Sequence, residues 1–203
     1  MKKYFGLHVS INSPAWLNAS MQKQWRDLDV RLVSVDVETT GVAVRPGSVT
    51  EIGWFDLGAG MGGQFIPPHN LNGADPKALE ISRYAERIAG QDTDLEQVIA
   101  LHRLLGGDGK KTVIVGSNPS FDQQHLAELF ASRGLLAEPW QRRAIDVAQG
   151  AFWAGIGDAA NVPGLAAACK HFGIDNTNHH AALDDALVAA QVFLRLQEKP
   201  TPI

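Results

Sequence analysis

Residues 32–41 read LVSVDVETTG, and the fold turns on how they are read. Val33, Val35 and Val37 alternate with Ser34, Asp36 and Glu38. β-branched side chains are stiff and pack well on a pleated surface, so this alternation predicts a β-strand. Residues two apart in a strand point to the same face, which sets the Asp36 and Glu38 carboxylates side by side. Like charges that close repel and raise one another's pKa unless something positive sits between them. Two readings follow: a strand whose polar face is in water, or a pair of metal ligands.

The strand belongs to a chain of 203 residues, long enough for one domain with a substantial core. Its apolar and charged fractions, 45% and 20%, are those of an ordinary globular protein rather than a disordered or fibrous one. No window approaches the ~18 to 20 apolar residues of a membrane span. The opening MKKYFGLHVSINS has too short an apolar stretch for a secretory signal. The single cysteine, Cys169, excludes an internal disulfide and a cysteine zinc site. A cytoplasmic location is the resulting expectation. A net charge of −4 argues against bulk electrostatic capture of nucleic acid and leaves local patches open.

Before the strand, residues 1–29 read as an appended helix. Ser13 offers an N-cap, Pro14 the first helical position, and Leu17, Met21, Trp25 and Leu28 recur at helical spacing as a packing stripe. After it, VTEIGWFDLG (49–58) and QFIPP (64–68) predict two further strands. Between them GAGMGG (58–63) matches the dinucleotide-binding glycine pattern, but it runs into a strand and prolines instead of opening a helix. A hairpin turn is the better reading. Thr93 and Glu96 form a capping box ahead of Leu95, Val98, Ile99 and Leu105. KTVIVGSN (111–118) predicts a buried strand, and Leu126, Leu129 and Phe130 mark a helix ending near Gly134. Further helices are expected at 147–154, 163–172 and 181–197. Strands followed by alternating helices and strands describe an α/β layer fold with a mixed sheet. The division is a helical extension (1–29), a main domain (30–198) and a frayed tail (199–203).

Two more acidic positions stand out. In GSNPSFD, Asp122 falls in the first turn of a helix, where the macrodipole alone would favour an acid. In HHAALDDA (179–186), Asp185 heads the apolar stripe Val188, Ala189 and Val192. A carboxylate at the head of a buried stripe is costly unless paired or metal-bound, although a surface helix start with two acids stays open.

D-x-E-T-T-G on a first strand, N-x-x-F-D after a later one and H-x-A-x-x-D near the C-terminus, in that order, resemble the DEDDh 3′–5′ exonucleases. That family includes proofreading subunits of polymerases, ribonuclease T and oligoribonuclease. The resemblance runs from about Val30 to Leu196, and VTEIGW and VPGLAAACKHFGI resemble the family's second strand and penultimate helix. It implies a ribonuclease H-like fold, with a mixed central sheet of about five strands flanked by helices, here with an extra N-terminal helix. It implies that Asp36, Glu38, Asp122 and Asp185 bind two divalent ions, Mg²⁺ or Mn²⁺, and that His180 is the general base. Thr39 would set its backbone against the terminal 3′ hydroxyl. The implied partner is a single-stranded 3′ end of DNA or RNA, with a polymerase partner or a homodimer left open and no membrane.

The chemistry gives these residues independent sense. Hydrolysing a phosphodiester needs an activated water and charge stabilisation at the leaving oxygen, and two metal ions ~4 Å apart supply both. Hard cations prefer carboxylate oxygens, and positive charge between Asp36 and Glu38 turns their repulsion into attraction. A histidine near neutral pKa suits removal of the water's proton. An enzyme that grips only a few terminal nucleotides needs little of the backbone contact that sustains duplex binding. Bases at single-stranded ends stack on aromatics, for which Phe121, Phe152 and Trp153 are candidates, although core packing is the preferred reading of all three. Arg142 and Arg143, after Trp140, read as phosphate contacts or as solvated. The H-x-A-x-x-D pattern fits His179 with Asp184 or His180 with Asp185. The family's leucine after the alanine and alanine after the aspartate select the second register, through Leu183 and Ala186. The expected activity is release of nucleoside 5′-monophosphates. Its alternatives are a catalytically silent nuclease-fold module binding nucleic acid or a polymerase, and a phosphohydrolase acting on small nucleotides.

Overall fold

The computed structural model describes residues 3–106, 109–158 and 160–198. The tail from 199 onward lies outside them. The elements in chain order are β1 (Lys3–Tyr4), β2 (Leu7–His8), β3 (Ile11–Asn12), α1 (Ala19–Arg26), β4 (Val30–Thr39), β5 (Val49–Asp56) and β6 (Met61–Phe65). They continue with α2 (Pro76–Ile81), α3 (Tyr84–Arg87), α4 (Leu95–Gly106), β7 (Lys111–Gly116), α5 (Pro119–Ala131), β8 (Ile145–Asp146), α6 (Val147–Trp153), α7 (Leu165–Phe172) and α8 (Ala182–Gln197).

Six strands form the central sheet in the order β3-β6-β5-β4-β7-β8. Its first three pairings are antiparallel and the last two, β4 with β7 and β7 with β8, parallel. This is the mixed, helix-flanked sheet that the ribonuclease H-like reading implies, with one strand more than expected.

The alternation along β4 sorts the two faces. Val33, Val35 and Val37 join Ile52 and Trp54 in a core closed by α4 and α5. Leu32 and Phe55 face a second core built from α1, α6, α7 and α8. Asp36 and Glu38 share the parity of Leu32, so they point toward α8.

The N-terminal segment departs from its expected helix. Residues 3–12 form strands: β1 and β2 make a hairpin, and β3 pairs with β6 at the sheet edge. The hairpin turn holds Phe5 and Gly6 at φ 56° and 94°, positive at both central positions, as its twist requires. Ser13 sits at φ 50° in the turn leaving β3, a backbone incompatible with the predicted cap. The helix begins only after Asn18, whose side chain accepts from the Met21 N–H at 2.9 Å. Leu17 and Trp25 are buried, whereas Leu28 lies beyond the helix and is exposed. At α4 the cap is Asp94, which accepts from the Gln97 N–H at 3.0 Å, and not Thr93. The 57–60 turn joins β5 to β6 as a hairpin, and α5 ends at Ala131. No described helix is long and apolar enough to cross a membrane.

Candidate active site

The parallel pairing of β4 with β7 stops at Ser34 and Val115, and the two strands then part. Beyond that point β4 keeps its β5 neighbour but loses β7, which leaves an open edge at the end of the sheet. A cleft of about 430 Å³ opens there, lined among others by Asp36, Glu38, Thr39, Phe121, Asp122, His180 and Asp185.

Each acid arrives by a different local device. Asp36 and Glu38 come from the even positions of β4. Asp122, on α5, crosses the open edge, and its Oδ1 accepts from the Val37 N–H at 3.0 Å. That amide is one the missing β7 pairing would otherwise leave unbonded. Asp185 comes from the first turn of α8, where its Oδ2 accepts from the His180 N–H at 2.8 Å. Gly53 lets α8 approach: it pairs with Asp36 across β4 and β5, and a Cβ there would collide with the Ala182 carbonyl. The pairing register shifts between Glu38 and Thr39, a bulge that turns the chain out of the sheet at the cleft. Thr39 then donates its hydroxyl to the Gly41 carbonyl at 2.9 Å.

The electrostatics are those of an anionic pocket. Burial, followed by the charges of Asp122, Asp185, Glu38 and Glu51, holds Asp36 well above the usual carboxylate range. Burial, with Asp185 and Glu51, pushes Glu38 up to about 7, although Arg87 opposes it. Burial raises Asp122 and Asp185 as well. Among the described residues no lysine or arginine makes a salt bridge with these four. Buried acids that crowd without a counter-ion are destabilising unless a cation joins them. Glu38, His180 and Asp185 each offer a ligand atom, all within 4.8 Å of one another. Carboxylate oxygens with one imidazole nitrogen beside them make a donor set that suits a divalent cation. The residues present therefore fit divalent metal.

His180 lines the cleft and His179 does not; Asp185 lines it and Asp184 does not. The two imidazoles lie 4.9 Å apart, tilted by 31°. Of the aromatic candidates Phe121 is in the cleft, whereas Trp153 is 82% exposed on α6 and away from it. The core reading fails for Trp153. Arg142 and Arg143 are exposed outside the cleft.

Sequence reading missed the opposite wall. α2 supplies Lys77, Ala78 and Ile81 to the cleft, capped by Asp75, which accepts from the Lys77 N–H at 2.9 Å. The Asp75-Pro76 pair, a cap followed by a first-turn proline, was the available signal. Glu51 and Arg87 beneath the wall were missed too. Glu51 pairs across the sheet with Glu38, and Arg87 Nη2 bridges to it at 2.6 Å.

Fold and cleft together are those of a ribonuclease H-like nuclease. The chain belongs to the RNase T exonuclease family, of DEDD-type 3′–5′ exonucleases: the family's model matches residues 33–193. It is 30% identical over 205 residues to the PolC-type DNA polymerase III of Thermotoga maritima, covering 98% of this chain and 14% of the polymerase. The PolC-type polymerase of Thermotoga petrophila is 28% identical with the same coverage. The chain thus spans about a seventh of these relatives' length. The fold is similar to exonuclease I of Escherichia coli in a zinc-bound complex with single-stranded DNA. That match has a TM-score of 0.63 and 19% identity, over 84% of this chain and 41% of the other. A product-bound exonuclease I gives 0.60 and 18%, over 82% and 45%.

Proposed function

We propose that this chain is a divalent-metal-dependent 3′–5′ exonuclease domain that shortens single-stranded ends and releases nucleoside 5′-monophosphates. The observation that carries the reading is the convergence of four carboxylates from β4, α5 and α8 with His180 in one cleft.

Asp36, Glu38, Asp122 and Asp185 would hold two divalent ions, Mg²⁺ or Mn²⁺. Bound there, the ions would lower the pKa of the attacking water and neutralise charge at the leaving 3′ oxygen. His180, exposed and lining the cleft, would take the proton from the attacking water. Phe121 offers a face for the terminal base. The backbone at Thr39 would meet the terminal 3′ hydroxyl, and Lys77, which lines the cleft from the opposite wall, would be available to the phosphate. The long polymerases among the relatives support a polymerase-associated role, in which this domain removes a misplaced 3′ nucleotide.

A silent binding module is the competing reading. It would be expected to lose at least one acid, and all four are present. Digestion of 5′-labelled single- and double-stranded DNA and RNA with Mg²⁺, Mn²⁺ or chelator tests the proposal. Metal-dependent laddering from the 3′ end with monophosphate release is expected. An unshortened label under every metal would overturn it, and cleavage of dinucleotides alone would point to a small-substrate phosphohydrolase.

A further inference from the structure

His180 enters the cleft on a left-handed backbone, φ 63°. A residue with a Cβ stays in that region only where its surroundings hold it. Its N–H is held by Asp185. Its carbonyl accepts from Arg87 Nη1 at 2.6 Å. The same guanidinium donates through Nη2 to Glu51 Oε2 at 2.6 Å, and that oxygen also accepts the Ala182 N–H at 3.1 Å. Nη1 reaches the Ser82 carbonyl at 3.1 Å as well. Ala182 opens α8, and Ala181 has no side chain able to cap it. Glu51 therefore caps the helix from the sheet, and Arg87 ties that cap to the His180 loop and to the α2–α3 wall.

We propose that Arg87 is a positioning residue that, together with Glu51, fixes the His180 carbonyl and so sets where the imidazole stands in the cleft. This rests on His180 being the general base. Arg87 does not line the cleft itself, so it acts through His180 and not on substrate. Three acceptors in different directions suit a planar, forked guanidinium better than a point-charge ammonium.

The test compares Arg87→Gln, Arg87→Lys and the double variant Glu51→Gln/Arg87→Gln, each alone and combined with His180→Ala. The double variant removes both charges at once, which keeps a folded protein in hand if Arg87→Gln leaves Glu51 buried and unpaired. With single-stranded oligonucleotide, Arg87→Gln should lower kcat by ~10²-fold, the scale of a ~1 Å misplacement, with KM changed less than about threefold. Arg87→Lys should recover part of the loss. In the His180→Ala background, at saturating metal so that the Arg87 charge near Glu38 does not limit ion binding, the same substitution should change kcat by less than about twofold. With ¹³C-labelled histidine, the His180 Cα and Cβ shifts should leave their left-handed values in Arg87→Gln. Equal losses in both backgrounds, or wild-type kcat in both Gln variants, overturn the proposal. If His180→Ala proves as active as wild type, the base assignment has failed instead. The shifts then still decide whether Arg87 holds this backbone, and unmoved shifts overturn the positioning role.

Discussion

At the scale of single residues, the cleft is a set of acids whose proximity costs stability until cations join them. Asp36 is the most crowded, facing Asp122, Asp185, Glu38 and Glu51. Asp36→Asn should abolish metal-dependent turnover without unfolding the chain. At pH 8 its metal-free form should melt higher than the metal-free wild type, since a buried Asn is neutral without having to hold a proton that the unfolded chain releases. Retention of more than about a tenth of wild-type activity, where loss of a catalytic group typically costs at least 10²-fold, would remove Asp36 from the site. The two histidines differ in the same way. His180→Ala should lose ~10²- to 10⁴-fold in kcat and still bind metal, whereas His179→Ala should lose far less. The reverse order in steady-state rates would shift the register by one residue.

At the scale of elements, the N-terminal segment is built into the sheet. β3 continues the sheet past β6, and Leu7, Leu17 and Trp25 are buried in the two cores. His8 donates its N–H to Gln97 Oε1 at 2.7 Å, and Gln97 Nε2 returns a bond to the Gly6 carbonyl at 3.1 Å. Leu7, fully buried, makes the sharpest probe. Leu7→Ala should destabilise by about 2 to 5 kcal/mol through lost burial and the cavity it leaves. No residue of the segment lines the cleft, so kcat measured below the melting transition should stay near wild type. Denaturant melts and rates on one preparation check both halves. A lost kcat in a folded Leu7→Ala would give the segment a role in the chemistry.

At the scale of the whole molecule, the acids set how stability depends on pH. Their folded pKa values lie above their unfolded ones, so the folded state keeps protons that the unfolded state has released. Stability of the metal-free protein therefore falls as pH rises from about 4, the unfolded value, through about 7 for Glu38 and about 8 for Asp122. Glu38 alone contributes a loss of about 3 kcal/mol over that window. Mn²⁺ or Mg²⁺ binds only the ionised acids and should reverse the slope. Melting temperatures from pH 5 to 8 with chelator and with metal check this. A metal-free protein that grows more stable toward pH 8 would contradict the crowding.

The sequence by itself determined the main strand, the pairing of Asp36 with Glu38 and the order of the three acidic motifs. These are local: alternation, spacing and the carboxylate and imidazole residue types of the motifs. It also carried most helix positions after residue 94, where apolar periodicity is unbroken. Only the tertiary structure decided what lies between distant segments. Ser13 and Thr93 lost their expected capping roles because the turn geometry and the nearer Asn18 and Asp94 side chains won locally. The wall formed by α2 and α3 is too short to show a period, and Arg87 has no motif to mark it. Its reach to Glu51, 36 residues earlier, and to the His180 carbonyl, 93 later, exists only once the sheet brings those backbones together. Asp122 likewise owes its place to the edge that β7 leaves open beside Val37, a consequence of where two strands part.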